Sequence, residues 1–318
     1  MSGVADAAHT LPPRDQESVS AGPLPTFRAH ARFQGMFRDY WELAKPGISF
    51  FIVLTAAAGY YLGSAGHLAP LHMLRALVGI GLTAAGAGAL NHYVERATDA
   101  RMVRTSDRPL PAERVRPGPA LVYGIVLGLA GFLLLLLGVR VLSALLAGAS
   151  LLIYIFGYTP LKRRSPVATL VGAVPGALPA LAGWTAAGAP VNATGFAVFA
   201  TVFFWQIPHF LALAWICRDD YRRGEFRMLV VNDATGRRTG LSASAFATAL
   251  LLASVFPFLL GRVGGIYLTG VLLLGAIMVA ASVAFLSEPA RRTARRLFLS
   301  SLVYVPGWML LVLLDKRP

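Results

Sequence analysis

The charge of this chain is gathered into short blocks, and nine long apolar stretches lie between the blocks. The stretches fall near residues 46–64, 74–93, 119–138, 141–158, 166–187, 193–216, 241–261, 264–287 and 297–314. Each is close to the roughly 20 residues that a helix needs to cross a bilayer. Only 14% of the residues are charged, against about a quarter in a soluble domain. That is too little charge to cover a water-facing surface. The chain therefore reads as all-α, a polytopic membrane helical bundle of about nine transmembrane helices. The fifth stretch, PVATLVGAVPGALPALAGW, is the weakest because Pro175 and Pro179 interrupt it. Neighbouring helices can absorb such breaks in an internal segment. Its Gly172, Gly176, Ala180 and Gly183 recur at helical spacing, which suits close packing.

The basic residues set the topology. Twenty-four of the 29 Lys and Arg precede the first stretch or lie in the second, fourth, sixth and eighth connections. The other side holds Arg75, Arg140, Arg262, Lys316 and Arg317. The positive-inside rule then places the N-terminus in the cytoplasm and the C-terminus outside. The formal net charge of +14 is thus a topology signal, and no nucleic-acid partner is expected. Cys217 is the single cysteine, so no internal disulfide can form. Residues 1–35 are polar, with Pro12, Pro13, Pro23 and Pro25, and read as a mobile cytoplasmic tail ahead of a membrane domain over 36–318. No apolar stretch follows Met1 closely, so the tail is not a secretory signal. No acid falls within a stretch, which disfavours a pump or transporter.

The acids sit instead at cytoplasmic helix ends. Asn91, Glu95 and Asp99 follow one another at steps of four, and each such step turns a helix by only about 40°. Three oxygens therefore form one stripe suited to Mg²⁺, which binds through a few carboxylates, waters and substrate phosphates. Arg104 and Arg108 follow, and Arg suits phosphate. Taken alone, the stripe could be a solvated helix end with routine Glu–Arg pairs. A second cluster on the same side weakens that reading: Trp205-Gln-Ile-Pro-His209-Phe leads to Asp219, Asp220, Arg222 and Arg223. A third connection offers Tyr158 and Lys162. Two acidic patches to hold metal, basic residues for phosphate and an apolar bundle for a greasy chain together point to a prenyl diphosphate.

These segments resemble a known family, the membrane-embedded aromatic prenyltransferases of the UbiA type. The likeness runs from Lys45-Pro46 to about Leu314 and rests on NHYVERATDARMVRTSDRPLP (91–111), YTPLKRRSP (158–166), GALPALAGW (176–184), WQIPHFLALAW (205–215) and RDDYRRGEFRML (218–229). The Asn-x₃-Glu-x₃-Asp and Tyr-x₃-Lys patterns are similar to the superfamily at large, and the Trp-Gln-Ile-Pro-His-Phe run to its haem-directed branch. One departure stands out. The superfamily's second site is usually Asp-x₃-Asp, whereas Asp219 is followed four on by Arg223 and Asp220 by Gly224.

The resemblance implies an enzyme that moves farnesyl from farnesyl diphosphate to a vinyl group of haem b, giving haem O and diphosphate, with Mg²⁺ as cofactor. It implies metal ligands among Asn91, Glu95, Asp99, Asp219 and Asp220. It assigns substrate contacts to Arg104, Arg108, Tyr158, Lys162, Arg222 and Arg223. It also implies a bacterial inner membrane and haem A synthase as a partner. His209 is a candidate haem ligand or a hydrogen-bonded helix-end histidine. Tyr154, Phe156, Phe203 and Trp205 could face an allylic cation, or simply pack. The alternatives are transfer to a quinone precursor or other aromatic acceptor, a transporter without chemistry, and an assembly factor.

Overall fold

The computed structural model describes residues 35–64 and 69–317. The tail expected over 1–35 lies, as far as residue 34, outside the described residues. The chain divides into Met1–Phe37 and Arg38–Pro318, and the second unit is the membrane body. Among the described residues it holds nine helices long and apolar enough to span a bilayer. They are α1 Pro46–Gly63, α2 Pro70–Asp99, α3 Pro117–Gly138, α4 Val141–Leu161, α5 Ala168–Ala186, α6 Ala193–Ile216, α7 Arg237–Leu259, α8 Gly265–Ser287 and α9 Arg291–Asp315. Pro opens α1, α2 and α3, where a missing N–H is harmless. The Asn192 side chain caps α6 by accepting from the Thr194 and Gly195 amides, both at 3.1 Å.

Several helices outrun their apolar stretches at the basic end. The second stretch stops at 93, yet α2 continues to Asp99. The ninth begins at 297, yet α9 starts at Arg291. Helical hydrogen bonding needs no apolar side chains, so polarity marks the lipid boundary and not the helix end. The acidic stripe consequently stands on rigid helix.

The fifth span is the weakest in sequence, yet 15 of the 19 residues of α5 are buried, a larger share than in any other span described. Pro179 has no N–H for the Pro175 carbonyl, and the Ser150 hydroxyl of α4 donates to that oxygen at 2.5 Å. The approach of α1 to α5 needs glycine on both sides. A Cβ at Gly59 would lie 2.0 Å from the Ala180 carbonyl oxygen, and one at Gly183 would lie 2.0 Å from that of Ala56. α4 carries one π-helical turn, Ile153–Tyr158, a feature that often marks functional sites. At the far end, Lys316 after α9 donates to the Tyr61 carbonyl at 2.6 Å and to the Ser64 hydroxyl at 2.8 Å, tying α9 to α1.

At the basic end the α6–α7 connection folds on Asp233, which is 4% exposed. Its carboxylate accepts from the Thr239 amide and hydroxyl, both at 2.8 Å, and from the Gly236 amide at 3.1 Å. Burial opposes the charged form, but these donors hold its pKa below the usual aspartate value. Replacing Asp233 with Ala is expected to destabilise the protein by about 2 kcal/mol at neutral pH. A depressed folded-state pKa means that this stabilisation is present above the unfolded value of about 4 and fades as pH falls through the folded one. Thermal unfolding of purified wild type and Asp233→Ala at neutral and acidic pH should show the gap between them narrowing on acidification.

Candidate functional site

The basic end opens into a cavity of about 480 Å³, walled by α1, α2, α4, α5, α6 and α9. Its body is apolar, with Phe51, Ile52, Ile80, Val202, Trp205 and Leu302 in the wall. Its mouth carries Lys45, Glu95, Asp99, Arg104, Arg108 and Lys162. Four basic side chains stand against two carboxylates there, so the mouth is net positive. Space for an apolar tail beneath a basic mouth is space for an amphipathic polyanion.

The mouth is organised on α2, where three oxygen-bearing residues each meet a cation from another part of the chain. Deepest is Asn91, whose side-chain oxygen accepts from the Lys45 ammonium and whose amide nitrogen donates to the Thr159 hydroxyl at 3.0 Å. One turn nearer the surface, Glu95 pairs with Lys162 at 2.9 Å. A further turn out, Asp99 pairs with Arg108 at 2.8 Å. Successive rungs are about 6 Å apart along the helix. Lys45 precedes Pro46 and has φ of 49°, a strained backbone for a non-glycine residue. Burial pulls its ammonium down to about 7, with Glu95 opposing. Burial also works against Lys162, but Glu95 beside it outweighs this and holds the ammonium above the ordinary lysine range. Lys162 further lies 4.5 Å above the Tyr158 ring.

The residues singled out from sequence divide sharply. Glu95, Asp99, Arg104, Arg108, Tyr158, Lys162 and His209 all line the cavity. Asn91 lies behind its wall, fully buried, with both ends of its amide engaged. Asp219, Asp220, Arg222 and Arg223 do not reach it. They occupy a short helix, Arg218–Arg223, where Asp219 meets Arg222 at 3.3 Å and Asp220 meets Arg223 at 2.8 Å. Asp220 also accepts from the Val103 amide at 3.0 Å, so it pins the segment that carries Arg104. Burial opposes its charge, while Arg223 and that amide hold its pKa below the usual range. The same segment lays Tyr221, Phe226 and Met228 in the cavity wall near Met102. Burial pushes the Tyr221 phenol up to about 12.

Of the aromatic candidates, Tyr154 and Trp205 line the cavity. Phe156 is 74% exposed on the outer face of α4, and Phe203 packs on Phe199 and Phe204. Lys45 was read from sequence only as a topological charge. Its place directly before the first proline of a span was the available signal.

His209 is held between Trp205 and Phe298, with ring centroids 5.2 and 4.9 Å away. Its Nδ1 is 2.7 Å from the Ser301 hydroxyl oxygen. That hydroxyl donates to the Phe298 carbonyl at 2.5 Å, so its oxygen must accept from His209. The proton is therefore on Nδ1, and Nε2 keeps its lone pair.

Among the described residues no three His, Cys, Asp or Glu side chains converge to cage a metal. Glu95 and Asp99, two hard oxygen donors one turn apart at the cavity wall, do fit a cation of the Mg²⁺ kind, which keeps waters and takes phosphate oxygens.

Residues 52–304 match the UbiA prenyltransferase family. The chain belongs to this family. Among relatives, it is 44% identical over 280 residues to protoheme IX farnesyltransferase of Salinibacter ruber, covering 88% of this chain and 99% of that one. It is 39% identical over 288 residues to the protein of the same name in Solibacter usitatus, again covering 88% and 99%. UbiA architecture also appears in solved structures. A digeranylgeranylglyceryl phosphate synthase superposes with a TM-score of 0.72 at 16% identity, covering 87% of this chain and 96% of that one. A UbiA homolog from Archaeoglobus fulgidus, bound to DMAPP and Mg²⁺, gives 0.65 at 14%, covering 87% and 99%.

If Asn91 sets the Lys45 ammonium, Asn91→Ala should weaken inorganic diphosphate binding about tenfold in the presence of Mg²⁺. Asp219→Asn, outside the lining, should leave it within about twofold. Titration calorimetry on the purified protein measures both. Equal losses would return the second acidic pair to the binding site.

Proposed function

We propose that this membrane prenyltransferase transfers the farnesyl group of farnesyl diphosphate to a vinyl group of haem b, releasing diphosphate and giving haem O. The observation that carries the reading is one cavity with a net-positive mouth, an apolar body, and an imidazole whose free nitrogen is fixed by Ser301. Relatives at 39% and 44% identity carry the name of this reaction.

In this reading Lys45, Lys162, Arg104 and Arg108 receive the diphosphate at the cytoplasmic face of a bacterial inner membrane. Mg²⁺ held by Glu95 and Asp99 would neutralise charge on the leaving group. Lys45, on the deepest rung, faces the phosphate nearest the bond that breaks, and its positive charge stabilises the oxygen left behind. The farnesyl chain lies in the apolar body, where Tyr154, Tyr158 and Trp205 present rings to the allylic cation and the wall keeps bulk water out. His209 offers Nε2 to the haem iron and orients the flat acceptor. Haem A synthase is the natural recipient of the product.

Membranes containing the protein, incubated with haem and farnesyl diphosphate, should yield a farnesylated haem by mass only when Mg²⁺ is present. Transfer to a phenolic acid but not to haem would sink the haem assignment and keep the prenyltransferase. Glu95→Gln and Asp99→Asn should each lower turnover by about a hundredfold or more while the protein still purifies as one species. Ser301→Ala should shift the optical spectrum of bound haem and lower turnover, because the imidazole loses the acceptor that fixes its tautomer. His209→Ala should do so more strongly. Both should bind farnesyl diphosphate as the wild type does.

A further inference from the structure

One polar side chain in the cavity wall has no part in these steps. Gln206 lies on α6 three residues before His209, is 4% exposed, and lines the same cavity. Its Nε2 donates to the Val202 carbonyl at 3.1 Å and to the Ala173 carbonyl at 3.3 Å. Only the nitrogen can meet two carbonyls, so the amide cannot be reversed, and Oε1 is its other end. Among the described residues no donor reaches Oε1. This oxygen lies against Gly176, where a Cβ would come within 1.8 Å of it, and Gly176 also lines the cavity. Glycine at 176 is what leaves room for the amide. A buried acceptor fixed by two hydrogen bonds and left without a donor calls for a ligand that donates.

The farnesyl-to-haem reading, on which this inference rests, creates the need for such a ligand. The allylic C–O bond breaks and its electron pair leaves with diphosphate. The π electrons of the vinyl group then form the new C–C bond from its terminal carbon. The inner vinyl carbon, attached to the pyrrole, is left cationic. It must either take up a nucleophile or shed a neighbouring proton. We propose that Gln206 is a positioning residue whose Oε1 holds the water that ends the reaction. The water donates one hydrogen to Oε1 and turns a lone pair to the inner carbon. A C–O bond forms, the resulting oxonium passes its proton to the departing diphosphate, and the product is a secondary alcohol next to the pyrrole. Loss of a proton from the former terminal vinyl carbon, which neighbours the cation, would instead give an alkene, lighter by one water. An acceptor fixed at one point of the wall holds one directed water there without wetting the allylic cation.

The test reads product identity, which a merely structural residue would not move. Wild type turned over in ¹⁸O-labelled water should place the label in the farnesylated haem. Gln206→Met keeps the volume and removes the acceptor, so the alkene-to-alcohol ratio should rise about tenfold or more. Gly176→Ala leaves Gln206 in place but drives a methyl onto Oε1, and should raise the same ratio. The ratio is internal to each preparation and is readable at low yield. An unlabelled wild-type product would overturn the proposal. So would an unchanged ratio in either variant that turns over, or loss of all product in both while farnesyl diphosphate and haem still bind. Failure of the wild type to farnesylate haem at all would instead remove the underlying reading.

Discussion

Two carboxylates on the last turns of α2 are buried below the surface, and a buried carboxylate without a counter-charge is not tolerated. Glu95 meets Lys162 from just past the C-terminal end of α4, and Asp99 meets Arg108 from the α2–α3 connection. Asn91, neutral and one turn deeper, anchors Lys45 at the head of α1. One helix face thus fixes three separate parts of the chain, and the mouth of the cavity is the result. In the proposed reaction the same cations would meet the substrate's phosphates, so the pairs that order the protein would also form its binding surface. Removing one partner would both loosen the mouth and change its charge.

The division between that mouth and the apolar body governs the chemistry. Charge separation needs preorganised positive groups where the anion leaves, and the cation left behind needs surroundings that do not react with it. Both can be met in one chamber because the two carboxylates stand on the overrunning end of α2 and draw the cations of neighbouring connections to the mouth, while the apolar spans make the body. Lys162 lies just past the end of α4, and its ammonium is held in place between Glu95 and the Tyr158 ring.

Much of this was legible in the sequence. Nine apolar runs and the alternation of basic connections give the spans, and the Asn91, Glu95 and Asp99 spacing gives one helix face. Less legible were features that depend on a partner distant in sequence. The two prolines of α5 look like a liability until Ser150 of α4 is seen to satisfy the carbonyl that Pro179 frees. Asp219 and Asp220 look equivalent to the first acidic pair, but each pairs with an arginine three residues on and lies outside the cavity lining. Phe156 and Tyr154 are two residues apart and cannot share a helix face. Lys45 resembles any other basic flank until Asn91 is placed 46 residues away in sequence and beside it in space.

The π-helical turn in α4 bears on how Tyr154, Tyr158 and Lys162 come to share one wall. Eight residues of ordinary α-helix would carry Lys162 about 80° round from Tyr154. A wider turn holds more residues, so each step through 153–158 rotates the chain less. That lag offsets the drift, and a spiral of side chains becomes a column. A single slip of hydrogen-bond register thus acts as a phase correction. It lets one helix keep a lipid-facing outer surface while turning two phenols, and the ammonium just past its end, to one cavity wall.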